Sequence, residues 1–347
     1  MTGDAVKAVL LTGRKNRHGA RRVRAGAMVC ALRRLIALTA FAAVFVSWPA
    51  AAATEVLVVV AQQSPAYEEA LAALRARLAN VPDKVLALRV MTAEEFSDSG
   101  PRTTDRILPG LVVTLGTDAA ATVLQYKLPI PTYCTFLPQA AYAALANAAG
   151  RERAHLSALY LDQPFIRQLR LIRLALPERS RVGMVLGPDS RKNERELRRT
   201  AAVARIVLRV EQVSDEKQLV GALHRVLDDT DVLLAVPDAL VFNRRTAQSM
   251  LLTTYRLGKP VAGYSRAYVT AGALFAVYST PSQIGRQIGE ELLAMQNKAD
   301  RSLPAAGYPR YFSVEVNERV AHSLGIEPGR ADDLARQLAG NVTEDSP

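Results

Sequence analysis

Six residues of this chain lie in or next to the loops that follow predicted strands, where their groups can hydrogen-bond to a small molecule. They offer hydroxyl groups, one carboxylate and backbone amides, which orient a polar ligand without any covalent step. We therefore predict a ligand-binding site with no catalytic residues. The candidate residues are Ser64, Tyr67, Gly116, Thr117, Asp238 and Tyr264.

Most of these residues also have a purely structural interpretation, which the sequence leaves open. Short polar side chains at strand ends commonly cap the next helix, and glycine commonly makes the turn into it. The alternatives are a strand-to-helix turn for Gly116 and Thr117, a helix cap for Ser64 and Asp238, and a core position for Tyr264.

No motif of enzymatic chemistry supports a catalytic function. The sequence lacks a G-x-S-x-G elbow, a G-x-x-x-x-G-K-[ST] loop and a G-x-G-x-x-G turn after the first strand. His155, His224 and His322 are far apart, and Cys134 is not at metal-ligand spacing with any of them. We expect no metal or cofactor, and we interpret Cys134 as a small buried apolar residue. An exported hydrolase remains an unsupported alternative.

The elements that position these residues alternate between short apolar runs and helix-period segments. Continuous Val/Leu runs are typical of strands buried on both faces of a parallel sheet. Capping boxes at Thr92–Glu95 and Thr280–Gln283 mark two helix starts. The predicted strands of the first set are Val56–Val60, Val85–Val90, Leu111–Leu115 and Ile130–Thr135, and those of the second are Arg181–Leu186, Ile206–Val210, Val232–Val236 and Pro260–Gly263.

This alternation predicts an α/β protein with two similar lobes, each a parallel sheet flanked by helices. Ligands of such sheets bind outside the carboxyl ends of the strands, so the loops there should line one shared cleft. Helices starting at Ser64, Thr117 and Ser190 would direct free backbone N–H groups into that cleft, which suits a carboxylate. Asp189 fits a turn better than a site. No cleft arginine stands out, which favours a neutral or zwitterionic ligand.

The N-terminal segment has the order of a secretory signal peptide. Arg33 and Arg34 precede the apolar run Leu35–Trp48, and Pro49 and the small residues Ala50–Ala53 follow. The run is about 14 residues long, shorter than the roughly 20 that span a bilayer. We predict an exported protein cleaved near Ala53. An uncleaved anchor is the alternative, and residues 1–27 are interpreted as an upstream extension or a long basic region.

The positive charge lies mostly in this leader. The chain carries a net charge of +11, but residues 1–53 hold nine of the 44 basic residues and one of the 33 acidic residues. The remaining 35 basic and 32 acidic residues nearly balance. The charge therefore does not support a nucleic-acid partner.

Six segments of the chain form a recognisable series. They are Val112–Ala119, Val236–Asn243, Lys259–Ser265, Ala271–Thr280, Gln283–Gly289 and Phe312–Asn317. In their order and spacing they resemble the type I periplasmic solute-binding proteins of ABC transporters. The resemblance covers nearly all of residues 54–326.

The resemblance implies two Rossmann-like lobes joined by a three-crossover hinge. It places residues 1–53 in the leader, 54–156 and 281–305 in lobe 1, and 157–280 and 306–347 in lobe 2. The C-terminal strand should pair with the second lobe. The family binds small molecules, including amino acids, between the lobes.

The same resemblance implies the partners and the location. We expect a periplasmic protein that delivers a small-molecule ligand, such as an amino acid or related metabolite, to the membrane permease of an ABC importer. A ligand-sensing module that partners a membrane sensor is the alternative, and the sequence does not separate transport from sensing.

Overall fold

The computed structural model describes residues 54–79, 86–100, 108–296 and 302–343 of the 347-residue chain. All of them belong to one compact unit that begins at residue 53. The predicted signal peptide lies outside the described residues. None of the described helices has the length and mean hydropathy needed to cross a membrane.

The first lobe is built on a five-stranded sheet in which every pairing is parallel. Its order is β2-β1-β3-β4-β5. The predicted strands Val56–Val60 and Leu111–Leu115 are buried on both faces, as a parallel sheet between helices requires, whereas the strand predicted at Val85–Val90 is only partly buried at the edge of the sheet. The strands are β1 (Thr54–Val60), β2 (Leu86–Thr92), β3 (Leu111–Leu115), β4 (Thr132–Leu137) and β5 (Leu156–Tyr160).

Four helices follow strands of this sheet, and local caps fix where some of them begin. The capping box predicted at Thr92 is present, because the Thr92 hydroxyl accepts from Glu95 N while the Glu95 carboxylate accepts from Thr92 N. A short 3₁₀ helix, Gly150–His155, leads into β5. The helices are α1 (Pro65–Ala79), α2 (Ala93–Ser99), α3 (Thr117–Gln125) and α4 (Gln139–Ala148).

The second lobe contains a six-stranded sheet in the order β11-β10-β9-β8-β6-β7. All pairings are parallel except that of β10 with β11, so the C-terminal strand pairs with the second lobe as predicted, in antiparallel orientation. The strands are β6 (Arg181–Leu186), β7 (Val207–Gln212), β8 (Val232–Leu234), β9 (Val261–Gly263), β10 (Phe275–Tyr278) and β11 (Ser313–Val316).

Among the described residues, seven α-helices flank the second sheet. The predicted fold class, two α/β lobes with parallel sheets, is therefore confirmed. These helices are α5 (Phe165–Ala175), α6 (Glu194–Val203), α7 (Leu219–Asp228), α8 (Arg244–Arg256), α9 (Arg266–Ala271), α11 (Glu318–Ser323) and α12 (Ala331–Thr343).

One further helix, α10 (Pro281–Gln296), returns the chain to the first lobe. It begins at the capping box predicted at Thr280 and packs its apolar face against α1. The two helices approach so closely at Gly285 that a Cβ there would lie 2.8 Å from the carbonyl carbon of Ala70. Glycine is required at Gly285 because backbone atoms, which cannot rotate away, fill the space.

The chain therefore passes between the lobes three times. The crossovers are residues 161–164, residues 279–280 and the segment that runs from Tyr308 to β11. The boundary predicted between residues 156 and 157 falls inside β5, which belongs wholly to the first sheet. Gly307 also forms an isolated bridge with Leu159 at the edge of that sheet.

Candidate functional site

A cavity of about 370 Å³ lies where the two lobes meet. Its lining comes from both lobes and from all three crossovers. The first lobe supplies Pro138, Gln139 and Ala140, which follow β4. The crossovers supply Leu161, Asp162, Gln163, Ser279 and Tyr308.

The second lobe completes the cavity with residues that follow four of its strands and with one helix. This position, at the carboxyl ends of parallel strands, is where open α/β sheets bind ligands. Aromatic rings from three of these elements give the cavity a largely apolar wall. The second-lobe residues of the lining include Phe165, Gln168, Asp189, Ser190, Tyr264 and Tyr278.

Asp238 lies behind the cavity wall and holds two of the loops that form it. It is 5% exposed, and both oxygens of its carboxylate are hydrogen-bonded within the second lobe. Oδ2 accepts from the backbone N–H groups of Asp189 (3.2 Å) and Ser190 (2.9 Å) and from the Ser190 hydroxyl (2.8 Å). Oδ1 accepts from the backbone N–H groups of Leu240 (2.9 Å) and Val241 (3.1 Å). Asp238 thus ties the loop after β6 to the loop after β8.

These contacts decide the ionisation of Asp238. Burial opposes the charged form, but the donors at Ser190, Leu240 and Val241 outweigh it and hold the pKa of the carboxyl below its usual range. The N–H groups before α6, which we expected to be free for a ligand carboxylate, are therefore occupied by a carboxylate of the protein itself. That expectation was wrong at Ser190, because a residue 48 positions later folds back onto the helix start.

Four polar residues at the crossovers form a second organising group, the crossover cluster: Gln163, Arg167, Gln168 and Ser279. Gln163 Nε2 donates to Ser279 Oγ (2.9 Å), and Arg167 Nη1 donates to Gln163 Oε1 (2.6 Å). Gln168 Nε2 donates to the backbone oxygen of Gln163 (2.9 Å). The cluster joins the first and second crossovers through side chains that are all buried.

Arg167 extends this cluster to the third crossover. Its guanidinium donates to the backbone oxygen of Pro309 (2.9 Å) and lies 4.4 Å from the ring centroid of Phe312. Burial lowers the pKa of Arg167 to about 10. The residue lies behind Gln163 and does not line the cavity.

Asp162 brings a carboxylate to the cavity from the first crossover. Its Oδ2 accepts from the backbone N–H of Gln139 at 2.5 Å. Burial raises the pKa of Asp162, and the hydrogen bond from Gln139 only partly offsets that effect. Nearby, Tyr308 donates its hydroxyl hydrogen to Gln139 Oε1 (3.0 Å). Asp162 and Asp189 are the two carboxylates among the described residues of the lining.

Two of the six predicted site residues lie at or directly beside the cavity. Tyr264 lines it, and its hydroxyl donates to the backbone oxygen of Phe242 (3.1 Å). Burial raises the pKa of Tyr264. Asp238 follows the lining residue Pro237, but its own carboxylate has the structural contacts described above.

The other four predicted residues lie together at the carboxyl ends of β1 and β3, outside this cavity. Ser64 Oγ accepts from Tyr67 N (3.3 Å), consistent with a cap. A Cβ at Gly116, whose φ is 106°, would overlap the Tyr67 hydroxyl, so glycine lets the ring lie over the turn. Thr117 is the exposed first residue of α3. Their contact with a ligand stays a prediction.

Sequence reasoning missed most of the residues that the cavity brings together. Asp162, Gln168, Tyr278 and Tyr308 lie at or next to crossovers, whose path the strand pattern does not reveal. The turn that Asp189 was expected to form is itself part of the lining. Across the described residues, no group of three His, Cys, Asp or Glu side chains is placed to hold a metal ion.

Comparison with known proteins places this architecture in a family. A family model described as ABC transporter substrate binding protein matches residues 105–327. The chain belongs to this family. Its members are substrate-binding proteins, which supports a solute-binding role for the chain. No curated protein matches the chain.

Solved structures share the fold of this substrate-binding protein at low sequence identity. A conserved domain protein from Vibrio cholerae is 20% identical with a TM-score of 0.53, covering 82% of this chain and 97% of its own. A ligand-free, open substrate-binding protein with adhesive properties from Clostridium difficile is 15% identical with a TM-score of 0.62, covering 79% and 95%. An ABC domain in complex with L-Trp from Streptococcus pneumoniae is 15% identical with a TM-score of 0.55, covering 82% and 98%.

Proposed function

We propose that this protein is exported, captures a small molecule in the cavity between its lobes and delivers it to the membrane permease of an ABC importer. The observation that carries the proposal is the cavity itself, which is bounded by both lobes and by all three crossovers. A ligand held there would contact both lobes and the crossovers that join them.

This placement links binding to conformation. A ligand shifts an open–closed equilibrium only by its differential affinity for the two states, and contacts from both lobes supply that difference. Gln139 from the first lobe and Tyr264 from the second lie on the two sides of the cavity. Closure around the ligand would then give the permease a surface that reports occupancy.

The size and walls of the cavity fit an amino acid or a related metabolite. A volume of about 370 Å³ is at the lower end of the range for small-molecule sites. Phe165, Tyr264, Tyr278 and Tyr308 provide aromatic surface. The Streptococcus pneumoniae neighbour is a complex with L-Trp, which agrees with an aromatic amino acid as one candidate class.

The family and the N-terminal sequence support the exported location that the proposal includes. The family works with ABC transporters, and the segment that precedes Thr54 has the order of a cleavable signal peptide. We propose a periplasmic location on these two grounds.

Native mass spectrometry of protein purified without refolding tests the proposal first, because a captured ligand would appear as a stoichiometric mass increment. Calorimetry with amino acids should then give saturable binding, and scattering should show a more compact molecule with ligand. Recovery of chemically altered ligand would instead indicate an enzyme.

Two tyrosine variants test the site. Tyr264→Leu should weaken binding, whereas Tyr255→Leu, at an exposed position of α8 outside the cavity lining, should not. Equal affinities of both variants and the wild type would place the site elsewhere.

A deletion strain separates import from sensing. Loss of uptake of the identified ligand supports the importer. Intact uptake with a lost transcriptional response to the ligand supports a partner sensor in the membrane.

A further inference from the structure

The charges of the cavity wall are one-sided. The described residues that line it include two carboxylates, Asp162 and Asp189, and neither lysine nor arginine. Asp162 is partly buried, and burial raises its pKa. No lysine or arginine among the described residues forms an ion pair with it. A cation placed beside a buried carboxylate offsets its desolvation. A ligand carboxylate would instead meet like charge without a counter-ion.

Five of the six hydroxyl groups in the described lining reinforce this bias, because their hydrogens are already donated to oxygen atoms of the protein. The sixth, Ser265 Oγ, accepts from Tyr268 N (3.3 Å). A hydroxyl whose hydrogen is engaged can offer a ligand only its lone pairs. The pairs are Ser190 Oγ to Asp238 (2.8 Å), Ser279 Oγ to Tyr311 O (2.6 Å), Tyr264 Oη to Phe242 O (3.1 Å), Tyr278 Oη to Glu315 (2.6 Å) and Tyr308 Oη to Gln139 Oε1 (3.0 Å).

Several backbone and amide donors near the cavity are engaged in the same way. The N–H groups of Gln139 and Ser190 donate to Asp162 and Asp238. Gln168 is 5% exposed, and its Nε2 donates to the Gln163 backbone, which fixes the amide orientation. Its Oε1 then has no donor among the described residues. The described lining therefore has an excess of negative charge, and its uncommitted side-chain donors are the neutral amides of Gln139 and Asn193 and the Ser265 hydroxyl.

From this excess we infer that the cavity recognises its ligand through a positively charged amine on an apolar or aromatic body, and that it needs no ligand carboxylate. The inference rests on the proposed function and names its ligand class. Asp162 and Asp189 would pair with the ammonium group, while Phe165, Tyr264, Tyr278 and Tyr308 pack against the body and offer ring faces to the cation. A decarboxylated amine should bind at least as tightly as the amino acid from which it derives.

The test uses matched probes. Calorimetry with the twenty protein amino acids selects the tightest binder, which is then compared with its amine lacking the carboxylate and with its carboxylic acid lacking the amine. We expect the amine to equal or exceed the amino acid in affinity. The acid should bind roughly 10- to 150-fold more weakly, the range for losing a hydrogen bond to a charged group.

Conservative variants identify which carboxylate binds the ammonium group of the ligand. Asp162→Asn keeps the shape of the side chain and an oxygen that accepts from Gln139 N, but it removes the charge. Asp189→Asn removes the charge in the second lobe and keeps an oxygen that accepts from Ala239 N. At least one variant should weaken amine binding by a similar factor without weakening binding of the acid. Asp228→Asn is the control, because Asp228 is exposed at the end of α7 and does not line the cavity. Melting temperatures establish that each variant is folded.

The outcomes separate the two proposals. If the acid binds as well as the amine, or if both aspartate variants bind the amine as the wild type does, the inference is overturned while solute binding stands. If the wild type binds neither amino acids nor amines, the inference is overturned. If native mass spectrometry also shows no bound small molecule, the proposed function fails as well.

Discussion

Replacing Asp238 by asparagine should destabilise the second lobe, because both oxygens of this buried carboxylate accept hydrogen bonds. Asparagine keeps the volume but has one oxygen. The better orientation directs that oxygen at the three donors of Asp189 and Ser190 and leaves the N–H groups of Leu240 and Val241 facing an NH₂ group.

The expected size of the effect follows from those two lost bonds. At about 1.5 kcal/mol for each hydrogen bond to a charged group, the free energy of unfolding falls by about 3 kcal/mol. With an unfolding entropy of about 2.1 cal/mol/K for each of the roughly 290 residues after the leader, that lowers the melting temperature by roughly 5 °C. Differential scanning calorimetry and urea denaturation measure both quantities.

Asp215→Asn is the matched control in the same lobe. Asp215 is an exposed cap whose Oδ1 accepts from Lys217 N and Gln218 N, and asparagine caps helices about as well as aspartate. The control should change stability by less than about 0.5 kcal/mol.

The Asp238→Asn result also decides between two roles for this residue. As an anchor, Asp238 affects stability first. Unchanged melting combined with a loss of ligand affinity of about 5-fold or more would refute the anchoring argument and make Asp238 a ligand contact.

Three further predictions concern packing, pH and export. Gly285→Ala should lower the free energy of unfolding, measured by urea denaturation, by about 1–3 kcal/mol, because the new Cβ overlaps the backbone of Ala70. The control is Gly340→Ala, where a Cβ would meet open space on a helix. It should raise the free energy of unfolding by about 0.5–1 kcal/mol. Because the folded-state pKa of Asp238 is depressed, its stabilisation is present above about pH 3.9 and is lost as the pH falls through the folded pKa. Acid titration of melting temperature should show a steeper decline for the wild type than for Asp238→Asn. Exported protein should begin near Thr54 and, lacking the single tryptophan Trp48, show tyrosine emission only; an intact mass that retains residues 30–53 in a membrane fraction would contradict cleavage.

The sequence by itself determined the fold class and most of the elements of both lobes. Continuous Val/Leu runs predicted buried parallel strands, because such strands contact helices on both faces. Local hydrogen bonding was also readable, as the capping boxes at Thr92 and Thr280 show. The Ala-rich helix α4 and strand β5 were missed, since neither has a strong apolar period, and the lobe boundary was therefore placed inside β5.

Only the tertiary structure decided which residues form the cavity and what each of them does. The lining combines segments as distant as Pro138 and Tyr308, which strand order and the three crossovers bring together. Asp238 could be placed at a strand end from sequence, but its role depends on Ser190, 48 residues earlier. A polar side chain bonds to whatever partner folding brings within about 3 Å, and that proximity is set by long-range packing rather than by the neighbouring residues in the chain.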